Sequence, residues 1–129
     1  MSFPKEIQLI LARQLASCLA MPILIADIEG TLIFYNEPAE AILNQRFEET
    51  GEIPPTEWVK LFAIADEEHH LIAPGERPML LALIQRQPSS RTVWIRTGED
   101  TGRHVSITAF PLIGQGGQFL GAIMIFWEV

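Results

Sequence analysis

Apolar residues recur at spacings of three and four along the start of the chain, at Ile7, Ile10, Leu11, Leu15, Cys18 and Leu19, until Pro22 interrupts them. Ser2 can cap this pattern and Pro4 suits a first helical turn, so an amphipathic helix of roughly four turns is expected before residue 21. The period then changes. Two short apolar runs, at 23–26 and 32–35, flank Asp27-Ile28-Glu29-Gly30, with Asp and Gly at the first and fourth positions of a type I turn. This predicts a β-hairpin whose register is set by the turn, with Gly30 free to take a positive φ. Asn36 ends the second strand and can cap a helix whose opening turn holds Glu37, Pro38 and Glu40.

Residues 44–55 are mostly polar and contain Gly51, Pro54 and Pro55, which reads as a loop. A short helix follows from Pro55 or Thr56, with Trp58, Val59, Leu61, Phe62 and Ile64 at helical spacing. Residues 65–75 form a connector dense in charge, and 76–86 resume a helix with Met79, Leu80, Leu83 and Ile84 on one face. Three strands are expected at 91–97, 103–113 and 119–129, joined by glycine-containing turns at 98–102 and 114–117. Strands at both ends of a helical middle imply an α+β domain, an antiparallel sheet with helices on one face. Residues 120–127, LGAIMIFW, are apolar on both faces, whereas a sheet with one wet face should alternate. The second face therefore needs a cover, either the leading helix or a second copy of the chain.

A length of 129 residues suits one domain. With 48% hydrophobic residues the chain is too apolar for disorder, and no apolar run is long enough to cross a bilayer. The first residues lack the uninterrupted apolar core and cleavage site of a secretory signal, so a cytoplasmic location is expected. A single cysteine, Cys18, excludes an internal disulfide and a multi-cysteine zinc site, and on the apolar stripe of the first helix it is expected as a small buried hydrophobe. The net charge of −7, with Lys and Arg scattered, argues against a nucleic-acid partner.

In this order and at these separations the segments resemble a PAS sensor domain over residues 21–129. The resemblance rests on the strand running into Asp27, Gly30, the strand ending in Asn36, and the helix with Ala39 to Leu43. At the other end it rests on the strand ending Pro111-Leu112, the turn at 114–117, and the strand opening Gly121-Ala122. It implies a five-stranded antiparallel sheet with short helices on one face, residues 1–20 as a separate amphipathic helix used for capping or dimerisation, and a module for signal sensing or protein interaction. It further implies a homodimer through the N-terminal helix and outer sheet face, a signalling partner acted on in trans, and no membrane partner. A small apolar or aromatic ligand could occupy a cavity between sheet and helices, with Ile25, Phe34, Met79, Leu83, Ile84, Trp94 and Met124 as the expected lining. A core filled by those same side chains, giving a ligand-free dimerisation module, stays open as the alternative, and a small α+β enzyme stands behind both.

The resemblance names no cofactor. Flavin photosensors of this family need a cysteine in an Asn-Cys-Arg segment of the helical middle, which has none here. Haem-binding members carry an axial histidine on the helix expected at 76–86, which also has none; His69 and His70 fall upstream in a run, Asp66-Glu67-Glu68-His69-His70, that reads as a solvated acidic loop rather than a metal or haem site. His104, Ser106 and Thr108 alternate on one strand face without a carboxylate assigned to orient the ring, so they read as a polar strand face and no catalytic residue is expected.

Overall fold

The computed structural model describes residues 11–12, 14–16, 18–96 and 102–129. The expected helix before residue 21 lies partly outside the described residues; within them, residues 11, 12, 14–16 and 18 are helical. The hairpin forms as expected from β1 (Ile23–Asp27) and β2 (Leu32–Tyr35). Asp27 builds its turn: the side-chain Oδ1 accepts from the N–H groups of Glu29 (2.9 Å) and Thr31 (3.0 Å), and Gly30 follows at φ 86°. Asn36 caps α1 (Glu37–Leu43) by accepting from the Ala39 N–H at 3.2 Å.

A short helix, α2 (Phe47–Thr50), stands in the stretch expected to be loop, and α3 (Pro55–Leu61) stops short of Ile64. Ile64 instead belongs to β3 (Ala63–Ala65), which pairs with residues 94–96. A 3₁₀ turn, Pro74–Glu76, precedes α4 (Pro78–Gln85), and β4 (Ser89–Arg96), β5 (Arg103–Ile113) and β6 (Phe119–Glu128) follow. Among the described residues the sheet therefore has six strands, in the order β2-β1-β6-β5-β4-β3, all antiparallel, rather than the five expected. The added strand is three residues long at one edge.

The sheet has two clearly different faces. Leu24 and Ala26 of β1, Val93 and Ile95 of β4, Val105, Ile107 and Ala109 of β5, and Ala122, Met124 and Phe126 of β6 point toward the helices and pack with Trp58, Phe62 and Met79 in the main core. Residues of opposite parity point away. There Ile23 and Ile25 form a second buried cluster with Ala16 of the N-terminal helix, against which Ala12, Ile33, Phe34, Ile123 and Ile125 pack. The doubly apolar β6 is thus shielded on both sides as far as Ile125, and the cover stops before Trp127, which is 41% exposed.

Candidate functional site

The N-terminal helix meets the sheet through its smallest side chains. Ala16 is buried against Ile23 and Ile25, and this close approach turns Leu11 and Leu15 outward, leaving them 55% and 63% exposed. Cys18 is exposed as well, not buried as the apolar spacing suggested, because the alanines rather than the larger residues form the inner stripe. Beside the helix runs an apolar groove of about 340 Å³, floored by Phe110, Leu112, Ile123 and Ile125 and walled by Leu11 and Leu15. Among the described residues this helix is apolar on two sides, and the side carrying Leu11 and Leu15 is uncovered.

A buried polar side chain ties this helix to the domain beside the packing of Ala16. Asn36 Oδ1 accepts from the Ile23 N–H at 3.0 Å in addition to Ala39, while Nδ2 donates to the carbonyls of Ala16 (2.9 Å) and Met21 (2.8 Å). One amide thereby joins the end of the N-terminal helix, the entry to β1 and the start of α1. Sequence reasoning found Asn36 as a cap but not these three further bonds, which depend on contacts across 13 to 20 positions of chain.

The seven side chains expected to line a cavity are not brought together. Met79 and Met124 are buried in the main core and Leu83 packs at its margin. Ile25 and Phe34 lie on the other side of the sheet, in the cluster under the N-terminal helix. Trp94 also faces outward, stacked 4.6 Å from the His104 ring with His69 at 5.0 Å on the same indole, and Ile84 is 71% exposed. The cause is parity: β6 is apolar on both faces, so its pattern does not say which face meets the helices, and the choice of odd positions in β1 and even ones in β6 mixes the two. The interior itself is closely filled by Trp58, Tyr35, Phe126, Ile64, Met79 and Met124, all fully buried.

Among the described residues one charge is buried in that interior. Arg77, only 5% exposed, sits immediately before α4, and its Nη2 donates to the carbonyls of Val59 (3.2 Å) and Phe62 (3.0 Å) at the end of α3. Its guanidinium carbon lies 5.2 Å from the centre of the Phe62 ring, which in turn stacks on Trp58. Desolvation lowers its pKa from the usual arginine value, and the group stays charged. The pattern gave no warning of it, since Arg77 reads as an ordinary surface residue before a helix.

Beyond Trp94 and Trp127, the rest of the outer face carries polar side chains. Ser90 and Thr108 share a hydrogen bond at 3.0 Å, and His104 Nε2 meets Glu67 Oε1 at 2.7 Å. The acidic loop is a structured turn: Asp66 Oδ1 accepts from the N–H groups of His70 and Glu68, both at 2.9 Å, and these bonds, that from His70 foremost, hold the Asp66 carboxyl below its usual pKa. Among the described residues no three His, Cys, Asp or Glu side chains converge as a metal site would require, and no helix is long and apolar enough to cross a membrane.

This sheet order, with helices on one face and the chain's outer strands meeting at its centre, defines a PAS fold, the fold the sequence resemblance implied. Among solved structures the chain is similar to the PAS domain of BvgS from Bordetella pertussis, with a TM-score of 0.68 at 20% identity, covering 95% of this chain and 86% of that one. It is similar also to a LOV protein from Rhodobacter sphaeroides (TM-score 0.69, 14% identity, 95% of this chain and 67% of that one) and to the light-state dimer of the fungal blue-light photoreceptor Vivid (TM-score 0.60, 10% identity, 98% and 93%). No family model matches the sequence, and no curated protein matches it.

Proposed function

We propose that the chain is a cytoplasmic PAS module for signal sensing and protein interaction, with residues 1–20 serving as a dimerisation helix, residues 21–129 as the sensory domain, and its output delivered in trans to a partner protein. The observation that carries this reading is the outer-face groove beside the exposed leucines. In a two-fold pair, Leu11 and Leu15 of each protomer can enter the groove of the other, an isologous contact that covers both apolar surfaces at once. The solved light-state dimer of Vivid supports pairing as a working mode of this fold. A signal would then act by favouring one arrangement of helix on sheet over another, which requires a difference in ligand or partner affinity between the two.

The four half-exposed leucines of such a pair contribute about 1 kcal/mol each on burial, enough to shift a dissociation constant by about a thousandfold. Sedimentation equilibrium on the full chain is expected to show a dimer, and the double variant L11E/L15E a monomer with unchanged far-ultraviolet circular dichroism. A wild-type chain that stays monomeric up to its solubility limit would refute the proposal.

A further inference from the structure

The geometry points to Arg77 as the anchor of an interior site for a small carboxylate whose apolar body lies against Phe62 and Trp58. The proposal rests on the sensory reading above and names the chemistry the sensor would detect.

Three observations carry it. First, the guanidinium is incompletely satisfied: Nη2 serves the two carbonyls at the end of α3, and Nε and Nη1 are buried without a hydrogen-bond partner. Buried donors are nearly always paired, so each that is not asks for an acceptor. Second, the charge is uncompensated. The chain carries 16 acidic residues against nine basic ones, yet among the described residues no carboxylate pairs with Arg77. The helix-end carbonyls and the Phe62 ring offset the charge only partly, and water could fill the open N–H positions but would bring no negative charge. A carboxylate oxygen at Nε or Nη1 supplies the acceptor and the charge together.

Third, the surroundings suit the rest of such a molecule. Phe62 lies beneath the guanidinium and stacks on Trp58 at 6.0 Å between ring centres, so buried aromatic rings surround the cation. The Trp58 indole N–H is already engaged with the Gly30 carbonyl at 2.8 Å and does not compete for the ligand. Met79 and Met124 in the same core are unbranched and can change rotamer, so a closely filled interior can still admit a small guest. A positively charged helix start, α4, with no acidic residue in its first turn, adds to the attraction for an anion.

The test uses benzoate as the carboxylate probe and benzyl alcohol as its neutral counterpart, titrated calorimetrically into the full chain after refolding from denaturant to strip any carried ligand. Benzoate is expected to bind the wild type and to bind Arg77→Met at least tenfold more weakly, with benzyl alcohol weak on both. Should Arg77→Met fail to fold, Arg77→Lys keeps the charge but lacks the Nε and Nη1 donors that would meet the carboxylate, and the same tenfold loss is expected. No binding to the wild type, or equal binding to wild type and variant, overturns the proposal and leaves Arg77 as a strut between α3 and α4. Sedimentation of the same samples separates this result from the fate of the dimer reading: a dimer that does not bind benzoate removes the anchor alone, and a monomer that binds benzoate through Arg77 removes the dimer alone.

Discussion

Replacing Asn36 tests how the N-terminal helix is held to the domain. In Asn36→Ala the cap of α1 is lost, which costs about 1 kcal/mol. The Ile23 N–H and the carbonyls of Ala16 and Met21 also lose a partner, at 3.0, 2.9 and 2.8 Å, in a region where Asn36 itself is almost fully buried. A buried donor left unpaired costs about 1–3 kcal/mol, and a carbonyl with a second lone pair rather less. The total is about 3–5 kcal/mol, a large fraction of the 5–15 kcal/mol that holds an ordinary domain together. Urea unfolding monitored by tryptophan fluorescence should show the midpoint falling accordingly.

Asn36→Asp separates the two halves of this junction. The isosteric carboxylate keeps an oxygen for Ile23 and Ala39, so the cap survives, but its second oxygen faces the carbonyls of Ala16 and Met21 where an N–H₂ stood. Three oxygens without a proton repel. Hydrogen exchange at neutral pH should show the amides of residues 18 and 19 losing protection while β5 and β6 keep theirs, and the proposed dimer weakening with the helix displaced. An Asn36→Ala penalty below about 1 kcal/mol, or an Asn36→Asp variant with the helix still protected, would show that packing of Ala16 on Ile23 and Ile25, not the amide, holds the helix.

What was legible in the sequence was local. The Asp27–Gly30 turn, the Asn36 cap and the glycine turn before β6 are set by neighbours a few positions away, and each stands where its residues place it. Ile64 shows the limit: three residues on from Leu61 it continues a helical spacing, and only pairing with Ile95, 31 positions later, makes it a strand. The inner stripe of the first helix was hidden for another reason. Ala12 and Ala16 count little in a search for large apolar residues, yet smallness is what a helix lying close on a sheet requires, and the leucines that dominate the pattern are those left outside. The candidate site depends on both effects, since its groove is bounded by the outward leucines and by a sheet face whose parity the sequence leaves open.

Two further substitutions probe the sheet and its pH response. Gly121 stands at φ 146° where a Cβ would run into the Ala26 carbonyl oxygen, so Gly121→Ala should force β1 and β6 apart and cost about 3 kcal/mol or more, read as a lowered thermal midpoint; a variant as stable as wild type would mean the backbone yields freely there. Tyr35 is the single tyrosine, so tyrosinate absorbance reports it alone. Burial, the largest effect, raises its pKa above the ordinary value of about 10, and the carboxylates of Glu40 and Glu49 push the same way, while the 2.8 Å hydrogen bond with Thr50 pulls it down. A phenol whose folded pKa is raised lends stability that is fully present below the unfolded value and is lost as pH rises through the folded one, so the loss falls above about pH 10. Thr50→Val removes the bond that favours the phenolate and should move the absorbance midpoint higher still; a midpoint at or below that of free tyrosine would show the ring open to water rather than packed in the core.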